Sequence, residues 1–306
     1  MKLDLQNSTN LTWLIVIVIV MIAIAYSVVA LKNKPAQTAF TPVDDYEFPY
    51  NINKGGWRVE LGESLKEISG ITSINPGQVM AIQDEKGILY TVDLNTGNII
   101  SEIPFDKDRD YEDLCLVGDH VFILERDGDL YQYHLVQPDS VIKFETAFSY
   151  RNDTESLAFD ADRNRLLIAP KEGSPDSTQL APNIQGVYAF DLLSKRIRPE
   201  PIATVAEKEI GRIIGNGGRT YSFKPSAIAV HPRTGHLYIL ASVGKILIVL
   251  DQQDNRILHV QLLNESQFPQ PEGIAFDAAE NLLIASEGKL TKAASITRFT
   301  PRPIKK

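Results

Sequence analysis

Glutamate recurs at the head of short apolar runs along this chain of 306 residues. The runs are Glu67-Ile68-Ser69-Gly70-Ile71, Glu112-Asp113-Leu114-Cys115-Leu116, Glu155-Ser156-Leu157-Ala158-Phe159 and Glu272-Gly273-Ile274-Ala275-Phe276, with a serine-headed version at Ser226-Ala227-Ile228-Ala229-Val230. Carboxylates gathered at one place repel one another and are driven toward protonation unless a cation lies among them. A hard cation satisfies several carboxylates and carbonyls together, and calcium, with its flexible shell of oxygen ligands, tolerates such a ring better than magnesium. The competing reading is structural: each glutamate accepts hydrogen bonds from backbone amides of a neighbouring unit and locks the assembly. The residues alone leave both open.

A second set closes the second apolar run of each unit, just before a glycine. It comprises Asp84-Glu85-Lys86-Gly87, Glu125-Arg126-Asp127-Gly128, Lys171-Glu172-Gly173 and Ser286-Glu287-Gly288, while the fourth unit reads Ala241-Ser242-Val243-Gly244. Acids here either flank a common mouth or belong to solvated hairpin turns, where Asp, Glu and Lys before glycine are ordinary. No Gly-x-Ser-x-Gly elbow and no phosphate-cradling glycine loop is present. The nearest histidine pair, His231 and His236, flanks the turn Pro232-Arg233-Thr234-Gly235 and lacks the convergence a metal needs. The single cysteine, Cys115, excludes an intrachain disulfide and a cysteine-based zinc cluster, and its apolar neighbours make it a buried small hydrophobe.

The elements that must position these residues follow from their spacing. The heads are separated by 45, 43, 71 and 46 residues. A period in the forties, with short apolar runs and glycine turns inside each unit, is the mark of four-stranded β-propeller blades, so all the heads face one axial channel. Unit one shows the grammar: Ile68 to Ser73, turn Asn75-Pro76-Gly77, Val79 to Gln83, Ile88 to Asp93, turn Asn95-Thr96-Gly97, Asn98 to Ile103. The fifth unit lacks a fourth strand, and Trp57-Arg58-Val59-Glu60-Leu61 supplies it from the other end of the ring, removing an exposed edge. Five blades result. The 71-residue interval holds polar Gly173 to Gln185 and the segment Gly211 to Gly218, read as loops; a degenerate sixth blade between Ser194 and Phe223 is the alternative.

Residues 11–31 are almost unbroken hydrophobics, long enough to span a bilayer as one helix. The expected organisation is thus all-β with one preceding transmembrane helix: a flank at 1–10, an anchor at 11–31, a linker at 32–56, the propeller at 57–300 and a tail at 301–306. A cleaved signal peptide is the rival reading of the apolar stretch. Flanking lysines do not decide orientation. Lys2, Lys32 and Lys34 against Asp4 make that region net +2, so a chain of total charge −8 leaves −10 on the remainder. So acidic a body excludes nucleic acid as a partner.

Taken in order, Lys66-Glu67-Ile68-Ser69-Gly70-Ile71, Tyr111-Glu112-Asp113-Leu114, Glu125-Arg126-Asp127, Glu155-Ser156-Leu157-Ala158, Lys171-Glu172 and Pro271-Glu272-Gly273-Ile274-Ala275 resemble the bacterial SdiA-regulated, YjiK-like family over roughly Trp57 to Phe299. That resemblance implies a five-bladed propeller, distantly similar to NHL-repeat proteins, with a calcium site and no established biochemical activity. It also implies a periplasmic or external location, and it adds Glu125, Glu172 and Glu287 to Glu67, Glu112, Glu155 and Glu272 as the metal set. Unit four departs from the pattern, with Pro225-Ser226-Ala227 at its head and no acid in Ala241-Ser242-Val243. The expected function is a membrane-anchored binding module whose channel mouth takes an unknown protein or small-molecule ligand. A calcium-dependent hydrolase of the phosphoesterase or lactonase type is the alternative.

Overall fold

Runs rich in Val, Ile, Leu and Tyr, punctuated by Gly, Asn and Asp, leave the backbone little choice but short antiparallel strands. The computed structural model describes residues 16, 17, 19–21, 37–138, 140–175, 180–289 and 291–303. In chain order the strands are β1 (Ala39–Phe40) and β2 (Trp57–Glu60); β3 to β6 (Ile68–Asn75, Gln78–Gln83, Ile88–Asp93, Ile99–Pro104); and β7 to β10 (Tyr111–Val117, His120–Glu125, Leu130–His134, Val141–Phe144). There follow β11 to β15 (Thr154–Asp160, Arg165–Pro170, Ile184–Asp191, Arg196–Ile197, Ala203–Ala206), helix α1 (Glu207–Ile213), β16 to β19 (Lys224–Val230, Leu237–Val243, Ile246–Asp251, Arg256–Leu262) and β20 to β22 (Pro271–Phe276, Leu282–Ser286, Ser295–Phe299).

These strands form five sheets among the described residues, ordered β3-β4-β5-β6, β7-β8-β9-β10, β11-β12-β13-β14, β16-β17-β18-β19-β1 and β20-β21-β22-β2. The ring is five-bladed, as the spacing predicts. The Trp57 strand closes it, pairing antiparallel with β22 from Trp57 opposite Arg298 to Glu60 opposite Ser295. Tight hairpins owe their shape to aspartate: the Asp93 side chain accepts the amides of Asn95 and Thr96, and Asp191 those of Leu193 and Ser194.

Among the described residues the long interval forms no sixth blade. Its two short strands both belong to blade three, where β13 pairs with β14 at one end and β15 at the other. Pro199 and Pro201 lie between them, and neither has an amide to give a ladder, so one outer strand becomes two. The remaining extra length is the segment between β12 and β13, α1 and the loop after it. A second difference concerns the segment read as a linker: β1 adds a fifth strand to the outer edge of blade four, with Ala39 opposite Gln261.

Five apolar clusters hold the ring, one between each pair of adjacent blades. The cluster that joins the last blade to the first contains Val59 and Leu61 beside Ile296, Ala285, Ile71 and Val79, so the closing strand is core. The segment before β2 is anchored too. Phe48 stacks on the His259 ring at 4.0 Å between centroids, Tyr50 donates to the Glu280 carbonyl at 2.6 Å, and Arg302 donates to the carbonyls of Phe48 and Pro49.

Thr38–Lys306 makes one compact unit and Met1–Gln37 another. The anchor expected at 11–31 lies outside the described residues except for Val16, Ile17 and Ile19 to Met21, which are helical and exposed. Among the described residues no helix is long and apolar enough to cross a membrane.

Candidate functional site at the channel mouth

Each innermost strand slips register at an equivalent point near its start. The slips fall between Ile68 and Gly70, Tyr111 and Asp113, Thr154 and Leu157, Pro225 and Ala227, and Pro271 and Gly273. A bulge leaves a residue outside the ladder and re-aims its side chain, and here it does so five times around one axis. The residues so placed are Ser69, Glu112, Glu155, Ser226 and Glu272. Glu67 is therefore not the blade-one counterpart of Glu112; Ser69 is, two positions on, and Glu67 stays exposed just ahead of β3.

The two serines show what the position does without a carboxylate. Ser69 donates to the Tyr111 carbonyl at 2.9 Å and Ser226 to the Pro271 carbonyl at 2.7 Å, each reaching the next blade beside its glutamate. Asp113, adjacent to Glu112, is fully buried and accepts the amides of Leu114 at 2.8 Å and of Leu157, on blade three, at 2.7 Å. Burial pushes its carboxyl well above the usual range, although both amides pull the other way. Gly70 leaves room for it. A Cβ on Gly70 would stand 2.4 Å from Asp113 Oδ1 and 2.7 Å from its Cα. We expect Gly70→Ala to lower stability by about 3 kcal/mol or more in chemical denaturation, since backbone must shift to admit the methyl.

The register also sorts the second set. The residues following the partners of the bulge are Asp84, Arg126, Lys171, Ser242 and Glu287. Among the acids the sequence nominated, Glu287 holds this position, while Glu125 and Glu172 fall one residue to either side. A one-residue step turns a strand side chain to the other face. Glu125 is buried, accepts the Tyr131 hydroxyl at 2.5 Å and pairs with Arg109 at 3.5 Å. Glu172 is exposed and pairs with Lys224 at 2.7 Å. Neither joins the mouth.

Those that do join shape one another's charge. Glu112 is pushed up to about 10, first by burial and then by Glu155 and Asp110. Glu272, buried, rises to about 8 through burial and Glu155, with Lys171 and a Ser242 hydrogen bond opposing. Glu287 rises to about 7 through burial, Asp84 and Glu67, and Asp84 to about 6 through burial, Glu67 and Glu85. Asp84 Oδ1 is buried and accepts no hydrogen bond. Lys171 is the cation at the centre of the group: its Nζ contacts Glu155 Oε1, and Glu272 and Asp153 also favour its charge against the burial that opposes it. Arg126 is the other, bridging Asp153 at 2.5 Å and Asp110 at 3.5 Å on the rim.

Along the innermost strands beyond the bulges, the channel holds a cavity of about 180 Å³ lined by all five strands, with Cys115 in its wall.

Among the described residues no group of three or more His, Cys, Asp or Glu side chains stands close enough to share a metal ion. The donor chemistry, all carboxylate and carbonyl oxygen, suits calcium. In the arrangement seen, the ammonium of Lys171 takes the central place. Asp110 and Asp153 were not nominated from the sequence, and Asp84, Arg126 and Lys171 stood in the second set's words without being singled out. The signal for Asp84 and Lys171 was present, as the residue directly after the second strand's last paired position, but it becomes visible only once the register is known.

A family model described as SdiA-regulated matches residues 56–291. No curated protein matches the chain. Among solved structures it is similar to the glutaminyl cyclase of Myxococcus xanthus, with a TM-score of 0.53 at 11% identity over 81% of this chain and 95% of that one. It is also similar to a PQQ-bound aldose sugar dehydrogenase from Streptomyces coelicolor, with a TM-score of 0.51 at 11% identity over 88% and 99% of the two chains. At such identity these likenesses speak for the fold alone.

Proposed function

The chain belongs to the SdiA-regulated family, and from that premise we propose that it is a binding propeller whose acidic channel mouth takes a cation, calcium, as part of recognising a protein or small-molecule ligand. One observation carries the reading: Glu112, Glu155, Glu272 and Glu287 converge from three blades into a desolvated mouth where burial holds each above its ordinary pKa, with Glu155 adding to the rise of the other three and Lys171 opposing it throughout. Carboxylates so held gain by any cation that lets them ionise. Glu112, Glu155, Glu272 and Glu287, with Asp84 beside them, are the residues that would hold it. When bound, calcium would neutralise the mouth and present a positive centre to the ligand.

The test is a thermal melt of the whole chain in chelator and in rising calcium. A cation that binds only the folded state adds about 2.7 kcal/mol at a hundredfold excess over its dissociation constant, a rise of roughly 5–10 °C for a domain of this size. A melting temperature that stays put from micromolar to millimolar calcium would sink the proposal.

A second reading has its own observation. Glu287, held at about 7, has the pKa of a group that gives and takes protons at neutral pH, as the base of a calcium-dependent hydrolase must. Turnover of any phosphoester, ester or lactone in a substrate panel, lost in Glu287→Gln, would favour it over the binding module. We further propose that residues 11–31 tether the propeller to the cytoplasmic membrane with the ring on the outer side. A reporter fused after Lys306 that is active only inside the cell would reverse that assignment.

A further inference from the structure

From β1 to β2 the chain runs as a strap against blades four and five, and three of its aromatic rings, Tyr46, Phe48 and Tyr50, each meet a histidine. Tyr46 lies edge-on to His236 with centroids 5.8 Å apart, Phe48 stacks on His259 at 4.0 Å, and the Tyr50 hydroxyl is 3.3 Å from His231 Nε2. Three of the five histidines in the chain thus stand under one short segment, while the other two, His120 and His134, face each other on blade two.

The hydrogen bonds around the two buried rings suit neutral imidazole only. His231 Nδ1 accepts the amides of Arg233 at 3.3 Å and Thr234 at 3.4 Å, so Nε2 carries the single proton and donates it to Tyr50, whose own hydrogen goes to the Glu280 carbonyl. A second proton, on Nδ1, would face two N–H groups. His259 meets Thr41 Oγ1 through Nδ1 at 2.8 Å, and its Nε2 is buried without a hydrogen-bond partner, so a proton added to that ring has nothing to receive it. The charged surroundings do not rescue either ring. Glu280 stands 3.8 Å from His231 Nε2 but is held by Arg233, which opposes the charge, as does His236. Tyr50 and Tyr238 face His231 as hydroxyls kept protonated by burial, and Asp277 acts on Tyr50. Asp45 and Glu47 of the strap line a cavity of about 300 Å³ with His231 and His236, but both are exposed and screened by solvent. Asp251 and Asp254 favour a charged His236, against its burial. Gln261 favours a charged His259, and the face of Phe48 attracts a cation weakly. Burial outweighs them and holds His231 and His259 both down at about 4.

We propose that residues 38–50 form an acid-released latch: the strap is seated on neutral histidines and leaves blades four and five when His231 and His259 take up protons. Blade four survives the departure, since β19 keeps β18 as its partner and four strands remain. Docked, the two rings titrate near 4; released into water, they return to the ordinary 6.5. The docked strap is therefore favoured in full above 6.5 and loses ground as pH falls toward 4. Between pH 7.5 and pH 5 each histidine shifts the balance toward release by about thirtyfold, and the two together by roughly a thousandfold.

Hydrogen exchange read by mass spectrometry on the full-length chain, corrected for intrinsic rates, tests this at pH 7.5 and pH 5. We expect amides of the strap, with that of Leu262, which donates to the Thr38 carbonyl at 2.7 Å, to lose about a hundredfold or more in protection at pH 5, while β8 of blade two keeps its own. His231→Gln and His259→Phe cannot take the proton, and phenylalanine keeps a ring beneath Phe48. Each variant should show a smaller loss than the parent, and the double variant none; β8 protection equal to the parent's at pH 7.5 shows that they fold. Strap protection that is the same at both pH values in the parent overturns the latch, as does a loss shared equally by β8, which is opening of the whole ring, or a loss undiminished in the double variant. Should the variants not fold, the parent's histidine resonances decide: release in step with the titration of His231 and His259 supports the latch, and release before either ring titrates refutes it.

Discussion

Replacing Glu112 by glutamine is expected to stabilise the propeller at pH 8 in chelator, by about 2–3 kcal/mol. Its carboxyl keeps a proton up to about 10 in the folded ring and releases it near 4.5 in the unfolded chain. Between those values the folded state binds more protons than the unfolded one, so stability falls as pH rises, and below 4.5 the penalty vanishes. Glu272 and Glu287 act in the same direction over narrower windows, from 4.5 to about 8 and to about 7. The parent protein without divalent cation should therefore be more stable at pH 5.5 than at pH 8. Glutamine at 112 keeps the shape, removes the ionisation and flattens the slope. Urea denaturation of parent and variant at the two pH values measures this; a variant that is less stable at both would make Glu112 a structural hydrogen-bond acceptor.

Phe48→Ala is expected to lower stability by about 4 kcal/mol, the usual loss for a large aromatic side chain removed from a packed site. The site is specific. The Phe48 ring lies nearly parallel to that of His259, whose Nδ1 is hydrogen-bonded to Thr41 Oγ1 and whose Nε2 is buried without a partner. Burial holds the His259 imidazole down at about 4. A histidine kept neutral by the fold contributes stability above its unfolded pKa of 6.5, and that contribution is lost as pH falls toward 4, because the unfolded chain takes up the proton first. Truncating Phe48 hydrates the ring, and its pKa should climb toward 6.5. The difference in stability between parent and variant should accordingly shrink below pH 6, and the histidine C–H resonances followed by NMR should show the raised titration. An unshifted His259 would leave the stack without an electrostatic role.

The fold was legible because its determinants repeat. Spacing in the forties, Asp- and Gly-marked hairpins and the orphan run at Trp57 all point to one ring. What was not legible is register. Glu67 looks equivalent to Glu112 because each heads an apolar run, yet the bulge that decides equivalence selects Ser69, and a bulge is a two-strand property that no single run displays. The same one-residue ambiguity put Glu125 and Glu172 in place of Arg126 and Lys171, and so exchanged acids for the cations that occupy those positions. Blade three shows the other limit: its outer strand is split by Pro199 and Pro201, so the β alternation that would have identified it is absent from the 71-residue interval.

The closing pair joins residues from opposite ends of the chain: Trp57 and Arg298 are 241 positions apart. Bringing such ends together costs about 5 kcal/mol in chain entropy before any contact rewards it, and β1 waits almost as long for β19. During synthesis the four complete inner units can form while the first-made strands remain without partners, so the ring stays an open arc until its final strand emerges. A protease or chaperone that meets the unfinished protein would find its target at residues 37 to 61, which leave the ribosome before the blades they complete and pair only after them.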